Sequence, residues 1–130
     1  MKKYLSKIIA NDNEGLQIIS ACCAGAEIKV ADIKYLKKNK VFLISLVRSK
    51  IETENDDKKI SSICKFEFVD NVKSKNIKQE NLDQKLELIT IDYLKKNDIY
   101  EINLIFNNNA YITLSTEIIE VTLDDQNEGI

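Results

Sequence analysis

Short runs of residues typical of β-strands follow one another along most of this chain of 130 residues, joined by short polar turns. The runs "IYEINLIF" and "AYITLS" are separated by three asparagines, which favour a hairpin turn. In "CKFEF" apolar and charged residues alternate, so we expect Cys64, Phe66 and Phe68 to face the same way. The apolar phase of "LELITIDYL" shifts near Leu88 and Ile89, which indicates either a bulge or a two-sided strand.

Three further segments are interpreted from their polarity. The stretch "AEIKVADIKYL" at residues 26–36 is typical of a strand and is followed by the polar turn "KKNK". The nearly continuous apolar run "VFLISLVRS" at residues 41–49 predicts a central strand covered on both faces. Residues 50–59, "KIETENDDKK", are charged enough to predict a solvent-exposed loop.

One segment near the N-terminus, "NDNEGLQIISACCAG", has helical periodicity instead. Asp12 is placed to cap its first turn, and Gly25 is placed to end it. The apolar face of this helix comprises Leu16, Ile18, Ile19, Cys22 and Cys23.

About eight strands and one helix, with short connections throughout, predict an α+β fold that is mostly antiparallel β. We expect a curved sheet or a partly closed barrel, with the helix near the N-terminus covering one face or one mouth. A chain of 14.9 kDa is one domain by size. We predict a single globular domain at residues 1–124 and a frayed tail at residues 125–130.

Composition excludes several kinds of chemistry. The chain has no histidine, which removes Ser-His and Cys-His catalytic pairs and the commonest ligand of catalytic metals. Its three glycines form no phosphate-binding loop. The sequence therefore predicts no catalytic residues, no metal site and no cofactor.

Charge and hydropathy indicate whether the protein binds nucleic acid or a membrane, and in which cell compartment it lies. A net charge of −2 and a pI near 5.3 give no general attraction to nucleic acid. No apolar run has the length of a membrane span. The N-terminal apolar stretch is broken by Lys7, which is atypical of a signal peptide, so we expect a first strand and a cytoplasmic protein.

The adjacent thiols of Cys22 and Cys23 raise the alternatives of a redox pair, a metal site and core packing. Neighbouring helical residues point about 100° apart, so the two thiols cannot easily bond to each other or share a metal ion. Both of them, and Cys64, lie at apolar positions of their segments. Free cysteine is among the most buried residue types, and the interpretation we favour is that all three sulfurs pack in the core.

Read in order, several short stretches resemble a family of small alphaproteobacterial proteins described only as a domain of unknown function, over nearly the whole chain. The resemblance implies a shared fold and no identified activity. The chain departs from the family at two places. Cys22 and Cys23 stand where the family has a histidine and a leucine, and residues 47–51 lack the family's pattern of aromatic residues and arginine. The stretches that carry the resemblance are residues 8–10 with Asp12, residues 19–21, residues 30–32, residues 73–75 and residues 107–110.

Two groups of side chains are candidates for a binding site. Lys73 and Lys75 alternate onto one face of a strand, where the resemblance has arginines, and Lys78 follows them. With Arg48, the only arginine, they could bind an anion or an acidic partner. The alternative is that these lysines only protect an exposed strand edge.

Asp32 and Asp92 are polar candidates of a second kind, because aspartate is depleted in strands. The function that we favour from sequence is a non-enzymatic, cytoplasmic module that binds another protein through a strand edge or through the basic face. A barrel that binds a small ligand, or an enzyme that uses carboxylates or lysines, remains the alternative, with Asp32 or Asp92 inside it. A homodimer is compatible with either.

Overall fold

The computed structural model describes residues 7–53 and 56–126, except for the side chains of residues 50–53 and 56–58. Within this part the chain forms one α-helix, α1 (Asn13–Cys23), and ten strands. All strand pairings are antiparallel, so the predicted mostly antiparallel α+β class is confirmed. The strands are β1 (Lys7–Ala10), β2 (Glu27–Lys29), β3 (Ile33–Leu36), β4 (Val41–Thr53), β5 (Asp56–Phe66), β6 (Val69–Lys75), β7 (Lys85–Lys96), β8 (Ile99–Phe106), β9 (Tyr111–Thr116) and β10 (Val121–Asp125).

The strands form one curled sheet that does not close. Hydrogen-bonded neighbours follow the order β1-β10-β5-β4-β2-β7-β8-β9-β6, and β3 pairs with the first residues of β4 beside β2. The last strand of this path, β6, comes back to β3, because the Val69 N–H donates to the Lys40 carbonyl and Tyr35 donates to the Val69 carbonyl. No ladder joins β3 to β6 in the described residues, which leaves the sheet open there.

Helix α1 lies away from the opening between β3 and β6. It packs against β7 and β1. It begins as the sequence predicts, because the Asp12 side chain accepts from the Gly15 N–H at 2.8 Å. The helix ends before Gly25, whose φ of 84° favours glycine. Leu16, Ile19 and Cys23 are buried, while Ile18, expected on the same face, is 51% exposed because the sheet covers only a narrow stripe of the helix.

Two local predictions are confirmed. The register between β7 and β8 shifts between Leu88 and Thr90, where the change of apolar phase indicated a bulge. The turn between β8 and β9 contains Asn108 and Asn109 in the left-handed conformation, with φ of 59° and 60°. Asparagine tolerates this conformation better than most residues, so the turn chemistry predicted the hairpin correctly.

The prediction that β4 is covered on both faces is wrong. Phe42, Ile44 and Leu46 are buried, whereas Val47 on the other face is 41% exposed. The physical reason is that only the inside of the curled sheet is filled by side chains, so a strand with two apolar faces still buries one. On that outward face Val41 and Leu43 are half-buried.

Three predicted segments have different boundaries. Residues 26–36 form two strands interrupted by a 3-10 turn at Val30–Asp32. The expected loop at residues 50–59 is largely the paired ends of β4 and β5, since charged residues do not prevent a backbone ladder, and residues 54–55 lie outside the described part. Phe68 is 46% exposed and has a φ of 59°, because the chain turns a corner there between β5 and β6.

The inside of the curled sheet and the buried stripe of α1 form one hydrophobic core. Strand β10 includes Asp125, one residue beyond the predicted boundary of the domain, and residues 127–130 lie outside the described part. None of the described helices is long and apolar enough to cross a membrane. The largest fully buried side chains are Phe42, Phe66, Phe106, Leu16, Ile19, Ile28, Ile44, Leu88, Ile102, Leu104, Leu114 and Leu123.

Candidate functional site

A groove of about 330 Å³ lies between β3 and β6, where the sheet fails to close. We call it the β3–β6 groove. Its lining is mostly apolar, and Ser74 and Gln79 add polar atoms at one side. The apolar side chains along it include Ile33, Tyr35, Phe42, Val72, Ile77 and Ile112.

Both ends of the groove are closed by hydrogen bonds. At one end a side chain, not a backbone ladder, spans the opening, because the Tyr35 hydroxyl donates to the Val69 carbonyl at 2.8 Å. At the other end residues 77–84 attach to the 3-10 turn, where the N–H groups of Val30 and Ala31 donate to the carbonyls of Gln84 and Leu82. Between these closures the two strands face each other unpaired over the four residues of β3.

Lysines surround this groove. Lys34 lines it, and Lys73 and Lys75 alternate with the lining residues Val72 and Ser74 along β6, so they face outward beside it. Lys78 is exposed at the start of the segment that closes the far end.

None of these four lysines forms an ion pair within the described part of the chain. Nearby Lys40 differs, because its ammonium lies 2.8 Å from the Asp70 carboxylate. That hydrogen bond and the negative charge of Asp70 raise the pKa of Lys40. These four ammonium groups therefore have no carboxylate partner among the described residues.

Arg48 does not join this group. It is 6% exposed and lies on the inward face of β4, where it donates to Asp125 at 2.8 Å and to the Ser62 hydroxyl at 3.1 Å. Ser62 in turn donates to Asp125 at 2.8 Å. The structure thus places the predicted basic residue in a buried network across β4, β5 and β10, and leaves the lysines to form the surface alone.

The three thiols are divided between the core and its edge. Cys23 and Cys64 are fully buried, and Cys22 is half-buried against the core, so the packing interpretation is confirmed. A hydrogen bond between the two buried thiols lowers the pKa of Cys23, as does the charge of Arg48. The same hydrogen bond, together with burial, raises the pKa of Cys64 well above its usual range.

The structure does not bring the two candidate aspartates together, and neither faces the core. Asp32 is exposed in the 3-10 turn after β2, and Asp92 is exposed on the outward face of β7. Asp92 accepts from the Asn103 amide at 3.1 Å. The alternative in which one of them lines the interior of a barrel gains no support from these positions.

Sequence reasoning missed the groove itself. Its apolar lining residues lie in segments that were interpreted as ordinary strands or loops, and only the lysines along β6 pointed to this edge. A signal was nevertheless present, since β6 has only two apolar residues, Val69 and Val72, and carries Lys73 and Lys75, which is typical of an edge strand. Which strand it would face was not readable from the sequence.

The fold and the groove define a mostly antiparallel α+β domain whose curled sheet stays open between two strand edges. Residues 6–130 match a family whose description is "Protein of unknown function (DUF2948)", and the chain belongs to this family. No curated protein and no solved structure matches the chain.

Proposed function

We propose that this domain binds an extended segment of another protein, which adds as a strand to β6 in the β3–β6 groove. The observation that carries the proposal is the pair of unpaired strand edges that face each other across an apolar groove. An edge strand presents N–H and C=O groups that an incoming peptide can satisfy. Affinity then comes from main-chain hydrogen bonds and from the side chains that enter the groove.

Alternation along β6 specifies the pattern of the bound segment. Val72 and Ser74 line the groove, while Lys73 and Lys75 point outward. In an added antiparallel or parallel strand, every second side chain lies beside the groove and the others lie beside the lysines. A segment with apolar residues at one set of positions and acidic residues at the other set satisfies both faces.

The length of the groove limits the bound segment. Strand β3 has four residues and β6 has seven, and both ends of the opening are closed by hydrogen bonds. At about 3.3 Å per residue, four residues of an extended chain occupy roughly 13 Å. We therefore expect a short linear motif, not a folded domain, to occupy the groove.

The other free edge of the sheet is a weaker candidate for the same role. Strand β1 also lies at an end of the strand order and has four residues. Its only charged side chain is Lys7, and the neighbouring β10 carries Asp124 on the same outward side. This balance gives no preference for an acidic segment.

A direct test uses a fluorescent peptide of the length of β6 in which valine and glutamate alternate. Binding to the full chain is followed by fluorescence anisotropy at low and high salt. We expect saturable binding that weakens as salt rises. A peptide in which valine and lysine alternate, and the valine–glutamate peptide N-methylated at alternate amides, should bind at least about tenfold more weakly.

Variants assign the binding to the groove. Ser74→Tyr should fill the groove without changing charge, and the Lys73→Glu, Lys75→Glu double variant should reverse the flanking charge. Each should weaken binding by about tenfold or more, Ser74→Tyr because it fills the groove, and the double variant because it turns two attractive ion pairs into repulsive ones at up to about 1 kcal/mol each. Lys7→Glu on β1 is the matched control and should bind as the wild type does. Equal affinity for all four proteins, or no binding at all, would rule out the proposal.

A further inference from the structure

The outward face of β6, β9, β8 and β7 carries a row of four polar residues in register, one from each strand. Lys73 is paired with Thr113, Thr113 with Asn103 and Asn103 with Asp92. Thr113 donates to the Asn103 side-chain oxygen at 2.8 Å, and the Asn103 amide donates to Asp92 at 3.1 Å. We call these four residues the polar row.

A second row, which we call the apolar row, runs beside it on the same face, and in register with Tyr111 its β6 end carries the charged Lys75. Tyr111 is paired with Ile105, and Ile89 lies next to them at the bulge of β7. Ile89 is 50% exposed and Tyr111 is 38% exposed, and with the hairpin tip at residues 107–109 these side chains border a hollow of about 540 Å³. This is apolar surface that the monomer leaves in contact with solvent.

The two ends of the polar row have opposite charges that are not neutralised by ion pairs. Neither Lys73 nor Asp92 forms a salt bridge within the described residues. They are three strands apart, which is roughly 14 Å at the usual spacing between strands, so they do not reach each other within one chain. A surface with the reverse order of charges would satisfy both of them.

We propose that this face binds a second copy of the chain about a two-fold axis parallel to the strands, between β8 and β9. Such an axis places Lys73 of each copy against Asp92 of the second copy. It also places Tyr111 of each copy against Ile105 of the second copy, because both rows are inverted together. The polar row is then complementary to itself, as a closed dimer requires, while Lys75 of each copy lies beside the β7 bulge of the second copy.

This dimer shares Lys73 with the proposed function but otherwise uses a different surface. It covers the outward face of the sheet, whereas the β3–β6 groove opens between two strand edges. Ser74→Tyr should abolish binding of the valine–glutamate peptide and leave the dimer intact. Asp92→Lys should disrupt the dimer and leave the groove unchanged, so failure of one proposal does not imply failure of the other.

The test is sedimentation equilibrium of the full chain without peptide, at several protein concentrations. We expect the wild type to dimerise reversibly. Lys73→Glu and Asp92→Lys should each weaken the dimer by about tenfold or more, because each puts like charges at both contacts. In an equimolar mixture of these two variants both contacts again carry opposite charges, so the mixture should dimerise where neither variant does alone.

A neutral change tests the apolar row separately. Tyr111→Ser alters an exposed side chain, should not affect folding, and should weaken the dimer without changing its dependence on salt. The proposal is overturned if the wild type stays monomeric at every soluble concentration. It is equally overturned if the dimer survives both charge reversals, or if the mixture associates no better than its components.

Discussion

At the residue scale, the feature with the largest desolvation cost is a pair of opposite charges buried in the core. The Asp125 side chain is fully buried and the Arg48 guanidinium nearly so, with Ser62 bonded to both. Removing two charges from water costs several kcal/mol for each ion, and the pairing offsets this cost. The network therefore specifies how β4, β5 and β10 pack, more than it adds to net stability.

Asp125→Ala should be strongly destabilising. It leaves the Arg48 guanidinium buried without its carboxylate partner and bonded to the neutral Ser62 hydroxyl, and breaking a buried pair in this way costs about 3–5 kcal/mol. In urea unfolding, the loss of stability should appear as a lower urea concentration at the midpoint. The dependence of the free energy of unfolding on urea concentration should not change. Asp124→Ala, a neighbouring carboxylate on the outward face, is the control and should cost less than about 0.5 kcal/mol.

Replacing the whole network tests the same explanation from the other side. The Arg48→Met, Ser62→Ala, Asp125→Leu variant replaces these three polar side chains by apolar ones, and should recover most of the stability that Asp125→Ala loses. If the triple variant is as unstable as the single one, the cost does not arise from an unpaired buried charge.

The thiols should differ in reactivity as they differ in burial. In the folded protein an alkylating reagent should modify Cys22 first, because it is half-buried, whereas Cys23 and Cys64 have no exposed surface. Mass spectrometry of the chain over a urea series should show the two buried thiols reacting only as the protein unfolds. Modification of Cys23 as fast as Cys22 in the native state would contradict the core assignment.

At the scale of elements, α1 and the bulge of β7 stabilise each other. The Ser20 hydroxyl accepts from the Ile91 N–H at 2.9 Å and lies 3.2 Å from the Thr90 hydroxyl. A bulge leaves backbone groups without a ladder partner, and here the helix supplies one. The backbone of residues 25–26 adds two further bonds to Leu88.

Ser20→Ala should therefore loosen the bulge. The Ile91 N–H loses its partner, which we expect to cost about 1–3 kcal/mol. Hydrogen exchange of the Ile91 amide should become faster by a larger factor than that of its neighbours in β8. Ser45→Ala, at an exposed position of β4, is the control, and an equal effect of both changes would show that the bond contributes nothing specific.

Elements were predictable where local chemistry determines them. The cap at Asp12, the asparagine turn and the bulge near Leu88 depend on residues close together in sequence, and all three were predicted correctly. The corner at Phe68 was not, because its alternating pattern is continuous and only the passage from one part of the sheet to another interrupts it. Arg48 was misplaced for a related reason, since its partner Asp125 is 77 residues away.

At the scale of the whole molecule, the bond from Tyr35 to Val69 is one of two hydrogen bonds that hold the start of β6 near β3, the other being from the Val69 N–H to the Lys40 carbonyl. Tyr35→Phe removes the hydroxyl that spans the gap and should cost about 0.5–1.5 kcal/mol. We expect faster hydrogen exchange in β3 and β6 and an unchanged rate in β4 and β5. A uniform increase over all strands would instead indicate loss of global stability.

The class of the fold followed from the succession of strand patterns, but the groove did not. Its lining combines residues from the 3-10 turn, β3, β4, β6, the segment after β6, and β9. Such a surface exists only when the curl of the sheet brings β6 back to β3. Neither the composition nor the periodicity of the sequence predicts how close these two strands come. The lysines of β6 were visible in sequence because charge on an edge strand is a local property.

The central claim is that the opening between β3 and β6 receives an extended acidic segment. The most direct measurement is the amide NMR spectrum and amide exchange of the isotopically labelled chain, with and without the alternating valine–glutamate peptide. We predict shifted resonances and slower exchange along β6 and β3, with little change in β1. Changes confined to β1 or to the outward face of β8 and β9, or no change at saturating peptide, would contradict the claim.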